Sequence, residues 1–171
     1  GARRGEVLGL QWSSLDNDDT LTFLRQYARV RRKGPRQYAM QWLKTDSSRR
    51  QISIDADLAG MLRSHRRSQP VRSLDGHMFT DAAGEPLNPD SWTNWFADAA
   101  RPGTGLPDKI TLHSLRHTHV STLLTAGVPD HQISARVGHS SSVVTREVYA
   151  HARKADDAGV AATWRRTLAE G

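Results

Sequence analysis

The chain has no cysteine, which removes disulfide scaffolds, zinc ribbons, iron–sulfur clusters and thiol nucleophiles together. No apolar run comes near the roughly 20 residues that span a bilayer, and no signal peptide opens the sequence. It shows no internal repeat, no low-complexity tract and no linker long enough to divide it. Lysine is scarce, so 20 of the 24 basic residues are arginine. What remains, 171 residues that are 37% hydrophobic and 25% charged, fits one compact domain with a sizeable core. A soluble protein of the cell interior is expected. The sequence begins without methionine, in an amphipathic helix already under way at Val7, Leu8 and Leu10, and so reads as an N-terminally truncated fragment.

The net charge is +6 and the isoelectric point about 10.3, which suit a polyanionic partner. Arginine grips phosphate with a planar fork of donors, so its dominance fits phosphate recognition; arginine-rich codon usage explains it equally well. Placement is more telling. Between Leu21 and Ile54 stand nine basic residues, Arg25, Arg29, Arg31, Arg32, Lys33, Arg36, Lys44, Arg49 and Arg50, against the single acid Asp46, a local +8. Either a solvated sheet face or a nearby phosphate backbone accounts for such a run. The same stretch is β-branched and aromatic: TLTFLRQYARVRR, RQYAMQWLK and RRQISID read as three strands of an antiparallel meander, joined by KGP and TDSS. Helical periodicity then returns, first in residues 55–69 with Leu58, Met61 and Leu62 as the apolar stripe. Further helices follow at about 90–100, 112–126, 129–137, 141–149 and 153–168, with Gly127 and Gly138 as stops. The expected class is α+β, mainly helical with a small three-stranded antiparallel sheet.

Six of the eight histidines fall between residues 113 and 151. His113 and His117 have the i, i+4 spacing of zinc ligands, but Ser114 stands where HExxH has its glutamate. Histidines that merely hydrogen-bond inside a helical core suffice for His65 and His77. In LHSLRHTHVSTLLTAGV, however, His113 and Arg116 are one turn apart on one face, while Leu112, Leu115 and Leu123 form a separate core stripe. A proton carrier beside a fixed cation suits phosphate chemistry. His139 follows the helix-ending Gly138, and Tyr149 comes ten residues later in TREVYAH. A tyrosine hydroxyl is a competent nucleophile where one group activates it and another neutralises charge growing on its target.

With GARRGE, LKTDSSRR, HSLRHTH, VGHSS and TREVYAH in this order, the chain resembles the tyrosine recombinases, or phage integrases, most of all those of actinobacterial phages and mobile elements. The resemblance implies the DNA breaking-rejoining fold. It implies that Tyr149 attacks a DNA phosphodiester, giving a 3′-phosphotyrosyl link and a free 5′-hydroxyl, in the service of integrating or excising a mobile element. Arg3 and Arg116 correspond to the arginines holding the non-bridging oxygens, and Lys44 to the lysine that protonates the departing 5′-oxygen. His113 corresponds to the residue assisting proton transfer, and His139 to one that hydrogen-bonds the phosphate. Glu6 reads as a structural acid; Arg4 is the neighbour most easily confused with Arg3. No metal and no cofactor are needed. Arg31, Arg32, Lys33, Arg36, Arg49 and Arg50 are candidate contacts to double-stranded DNA. The last helix, with Val160, Trp164 and Leu168 in a stripe, either packs on its own domain or docks on a neighbour in a synaptic homotetramer. An N-terminal core-binding domain is expected upstream of this chain, no membrane partner is implied, and the expected location is the bacterial cytoplasm at the nucleoid. Other readings stay open: a non-catalytic helix-turn-helix regulator built on PDHQISARVGHSSSVVTREVYA, an inactive integrase fragment, and a metal-dependent phosphoesterase.

Overall fold

A computed structural model of the chain describes residues 1–30, 36–70, 75–100 and 110–139. Within these residues lie five α-helices and four short strands in the order α1 (Arg4–Leu8), β1 (Thr20–Phe23), β2 (Arg25–Arg29), β3 (Tyr38–Trp42), β4 (Arg50–Ser53), α2 (Ala56–Ser68), α3 (Pro89–Ala99), α4 (Leu112–Thr125) and α5 (Asp130–Val137). The fold is α+β and mainly helical, as expected. Among the described residues no helix is long and apolar enough to cross a membrane. The expected helices at 141–149 and 153–168 lie outside the described residues, as does the connection KGP.

Helices α2, α3 and α4 start where a side chain satisfies their free N–H groups. Asp55 accepts from Leu58 N, Asn88 accepts from Asp90 N and Ser91 N ahead of Pro89, and Thr111 and Ser114 cap each other reciprocally. The α5 helix ends at Gly138 in the left-handed region, φ 68°. A side chain there is excluded twice over, because a Cβ would also sit 2.8 Å from Arg50 Nη1 and 3.1 Å from the Ser47 carbonyl oxygen.

The sheet departs from the expected meander. The first strand is interrupted at Leu24, and its two halves pair with different partners: β1 with β4 and β2 with β3, both antiparallel. Residues 20–29 are therefore the shared partner of both later segments, and β3 does not pair with β4. The cause is the connection after β3. Thr45–Ser48 coil into a compact turn, with Ser48 N and Arg49 N both bonded to the Thr45 carbonyl, so the chain has no tight hairpin with which to fold back on β3.

The larger core joins α1's exit, the sheet and α2 through Leu10, Trp12, Leu21, Phe23, Leu43, Leu62 and Met78. Each such burial contributes roughly 1.5–3 kcal/mol. The smaller core, Val120, Ile133 and Val137, clamps α5 onto α4. Two expected stripes are corrected. In α2 the buried residues are Ala59 and Leu62, with Met61 69% exposed, because the small Ala59 gives that face the closer approach. In α4 the buried residues are Arg116 and Val120, while Leu115 is exposed. His65 is a core histidine as expected, its Nε2 2.7 Å from the Met78 carbonyl and its ring stacked on Phe79.

Candidate active site

The α1 helix is five residues long and approaches the β2 backbone closely at its glycines. A Cβ on Gly9 would lie 2.8 Å from Gln26 Cα and 2.9 Å from the Arg25 carbonyl oxygen; one on Gly5 would lie 3.1 Å from the Tyr27 carbonyl oxygen. Two glycines one turn apart thus seat α1 on the strand, and the seat fixes where Arg3 begins. Leu8 and Glu6 are fully buried beneath it.

Glu6 is the hub. Its Oε1 takes the Arg3 Nη1 at 2.8 Å, and its Oε2 takes the Arg3 backbone N–H at 2.8 Å and Arg50 Nη2 at 2.9 Å. Burial alone pushes a carboxyl pKa up; these hydrogen bonds and the Arg50 charge outweigh it, and Glu6 stays below the ordinary value as a carboxylate. Arg3 extends beyond Glu6 to the Gly138 carbonyl at 3.2 Å, so α1 is tied to the end of α5. Its side chain is still 43% exposed and borders open space. The adjacent arginines diverge. Arg4 turns to α3, where its Nη1 meets the Pro89 carbonyl at 3.0 Å and Thr93 Oγ1.

Arg116 reaches the same place from α4, 113 residues away in sequence. It is 4% exposed and donates to the Gly1 carbonyl through Nη1 and to the Val137 carbonyl through Nη2, the latter at 2.6 Å. Burial and the Arg3 and Arg50 charges lower its pKa to about 10, so it remains a cation at neutral pH. Arg3, Arg4, Arg29, Arg36, His113 and Arg116 line one open cleft of about 520 Å³ between α1, the β2–β3 sheet and α4.

His113 is exposed at the cleft, and its ring meets that of His117 edge-on at 4.6 Å. The i, i+4 spacing accounts for this ring packing of His117 on His113. His139 follows Gly138, with its backbone N–H bonded to the Ser134 carbonyl. Burial, then the Arg116 and Arg3 charges, lower its pKa to about 4, so it is neutral at physiological pH. No three His, Asp or Glu side chains among the described residues gather in a group able to hold a metal ion.

The remaining expected site residues separate. Lys44 is exposed in the β3–β4 connection and does not line the cleft, although the turn beginning one residue later packs against Gly138. Tyr149, Arg31, Arg32 and Lys33 lie outside the described residues. Arg36 lines the cleft and pairs with Asp90 at 3.0 Å; Arg49 pairs with Asp46 at 3.4 Å. Arg50 is not a surface cation: its side chain is 5% exposed and bonded to Glu6. The local +8 is thus partly offset by Glu6 and Asp90, acids from outside that stretch. Sequence reasoning missed the role of Arg50, and the signal was there in a buried-type glutamate that needed a cation.

A sequence model of the phage integrase family matches residues 1–156. An integrase of Streptomyces ambofaciens is 32% identical over 166 residues, 87% of this chain and 41% of its own length. A XerC-like tyrosine recombinase of Caldanaerobacter subterraneus subsp. tengcongensis is 29% identical over 168 residues, 88% of this chain and 42% of its own length. This chain therefore spans about two fifths of the length of these curated relatives. Among solved structures, the integrase of transposon Tn1549 in complex with transposon right-end DNA superposes with a TM-score of 0.79 at 22% identity, over 97% of this chain and 54% of that one. The XerA recombinase superposes with a TM-score of 0.66 at 18% identity, over 97% of this chain and 51% of that one. These likenesses show the fold.

Proposed function

Because the chain belongs to the phage integrase family of tyrosine recombinases, we propose that it is the DNA-cleaving and rejoining part of a site-specific recombinase that integrates or excises a mobile element. The observation that carries this reading is the convergence of Arg3 and Arg116 with His113 on one cleft, with the neutral His139 held beside their charges. Two fixed guanidiniums and a titratable histidine match a phosphodiester whose non-bridging oxygens gain negative charge in the transition state.

In the proposed reaction the Tyr149 hydroxyl attacks the phosphorus, the bond to the 5′-oxygen breaks, and the 3′-phosphate becomes esterified to the tyrosine. His113 assists removal of the tyrosine proton. Lys44, on its flexible stem, delivers a proton to the departing 5′-oxygen. His139 hydrogen-bonds the phosphate as a neutral imidazole. A 5′-hydroxyl from a partner strand reverses the step, so the phosphodiester energy is conserved in the tyrosyl ester. Double-stranded DNA is the substrate, a homotetramer on synapsed DNA assembled through residues 153–171 is the acting form, and the cytoplasm at the nucleoid is the place of action.

The test is a nicked suicide substrate incubated with the full-length protein in EDTA. A covalent protein–DNA adduct is expected from the wild type and none from Tyr149→Phe. Arg116→Ala should abolish the adduct while retaining most DNA binding. Binding without any adduct would instead identify a regulator, and cleavage that EDTA abolishes would identify a metal-dependent phosphoesterase.

A further inference from the structure

Arg50 is a cation almost wholly withdrawn from solvent. Its side chain is 5% exposed, and its guanidinium carbon lies 4.5 Å above the Phe23 ring centroid. Every nitrogen has a partner: Nε donates to the Arg136 carbonyl at 2.7 Å, Nη1 to the Ser48 carbonyl at 2.9 Å, and Nη2 to Glu6 Oε2 at 2.9 Å. Desolvating a guanidinium is costly, and the ion pair to Glu6 with a hydrogen bond at each nitrogen offsets that cost. Unlike Arg3 and Arg116, Arg50 does not line the cleft, and its head is turned to acceptors of the protein itself.

Its three acceptors lie on three separate segments. Glu6 belongs to α1 and orients Arg3 through both of its oxygens. Ser48 closes the turn that follows Lys44. Arg136 is in the last turn of α5, two residues before Gly138, whose carbonyl also receives Arg3 Nη2 at 3.2 Å. The Arg50 head fills the space beside Gly138 where a side chain would otherwise stand. One planar fork therefore fixes the relative placement of the segments that carry Arg3, Lys44 and His139. Three divergent acceptors demand a guanidinium; an ammonium on the same stem is a single point charge.

We propose that Arg50 is a positioning residue for phosphoryl transfer, which acts through Glu6 to hold Arg3 at the phosphate site, and that it makes no contact with DNA. The inference rests on the reading above that Arg3 grips the scissile phosphate.

The experiment uses the full-length protein with Arg50→Met, Arg50→Lys, Glu6→Gln and the Arg50→Met/Glu6→Gln double variant. Three quantities are read: DNA affinity against salt, single-turnover cleavage at saturating suicide substrate, and hydrogen exchange of the Arg3 amide, which donates to Glu6. For Arg50→Met, affinity and salt slope should stay within about twofold of wild type, while cleavage falls about 100-fold, the effect of misplacing a catalytic group by roughly 1 Å. Arg50→Lys should recover about a tenth of the wild-type rate, because an ammonium still pairs with Glu6 but cannot reach all three acceptors. The double variant should cleave no more slowly than the slower single one, since both changes act through Arg3. The Arg3 amide should exchange at least about tenfold faster in Arg50→Met, as expected for a lost hydrogen-bond acceptor position.

Wild-type cleavage per bound complex in Arg50→Met would overturn the proposal. So would a salt slope reduced by about one, the mark of a lost phosphate contact, or multiplicative losses in the double variant. If Arg50→Met does not fold, Arg50→Lys carries the same comparison, and full wild-type cleavage by it would overturn the claim. A wild type that forms no adduct refutes the recombinase reading alone. The Arg3 exchange rate then still decides the positioning claim, and an unchanged rate would refute it.

Discussion

Gly9→Ala tests whether the seat of α1 on β2 sets the active site. The added Cβ meets backbone on three sides, Gln26 Cα at 2.8 Å, the Arg25 carbonyl oxygen at 2.9 Å and the Arg25 carbonyl carbon at 3.0 Å. Ordinary contact begins near 3.4 Å, so α1 must lift by roughly 0.6 Å, because strand backbone cannot swing aside as a side-chain tip does. Overpacking of this kind costs about 1–3 kcal/mol. The backbone itself is comfortable for alanine at φ −85°, and the lower entropy of the unfolded chain returns about 0.4–1 kcal/mol. The net expectation is a loss of about 1–2 kcal/mol in urea unfolding, with an unchanged slope. Arg3 rides on α1, and a 1 Å error costs about 100-fold, so single-turnover cleavage should fall about tenfold or more. Gly60→Ala is the internal control. That glycine is in the middle of α2 with nothing within 4 Å of its Cβ position, so alanine there should stabilise by about 1 kcal/mol and leave cleavage unchanged. A Gly9→Ala protein as stable and as active as wild type would refute the wedge argument.

Further tests address the other parts of the site. Ile133→Ala, in the fully buried contact of α5 with α4, should cost about 2–5 kcal/mol by denaturant titration and should weaken cleavage, since Val137 and Gly138 carry carbonyls that Arg116 and Arg3 use. Glu6→Gln keeps the volume but leaves the Arg50 charge buried and uncompensated, an expected loss of about 3–5 kcal/mol. Because the folded pKa of Glu6 lies below its unfolded value, its contribution is full above about pH 4.5 and is lost as pH falls through the folded value; Glu6→Gln should lack that acid slope. His139 should titrate near 4 by NMR, against about 6.5 in the unfolded chain, so it opposes folding as pH drops through that window, and phosphate bound between Arg3 and Arg116 should move its pKa upward. Deleting residues 153–171 should abolish DNA-dependent assembly with the fold retained, as read by sedimentation and circular dichroism; unfolding would place that stripe in the chain's own core.

The helices were legible in the sequence because their signals are local. Apolar residues recurring at helical spacing and the stops Gly127 and Gly138 depend only on neighbours a turn away, whereas the caps Asn88 and Thr111 emerged with the structure. The shared face of His113 and Arg116 followed from spacing alone. Sheet order was not legible, since TLTFLRQYARVRR reads as one strand and nothing in its pattern reveals that Leu24 divides it between two partners. Polar burial was hidden for the same reason. Hydropathy puts Glu6, Arg50 and Arg116 on the surface, and only the tertiary meeting of α1, β4, α4 and α5 pairs Glu6 with Arg50 and gives Arg116 its backbone carbonyls. Charge counting over Leu21–Ile54 therefore overstated what is free to meet DNA, because Glu6 and Asp90 enter from elsewhere in the chain.

The central claim is a covalent tyrosyl intermediate, and the most direct measurement is peptide mapping of the adduct formed on a nicked suicide substrate. The chain has three tyrosines, Tyr27, Tyr38 and Tyr149. After trypsin and nuclease digestion, mass spectrometry should find the nucleotide esterified through its 3′-phosphate to Tyr149. Linkage to Tyr27, Tyr38, a serine or a histidine, or no adduct from the full-length protein, would contradict the account.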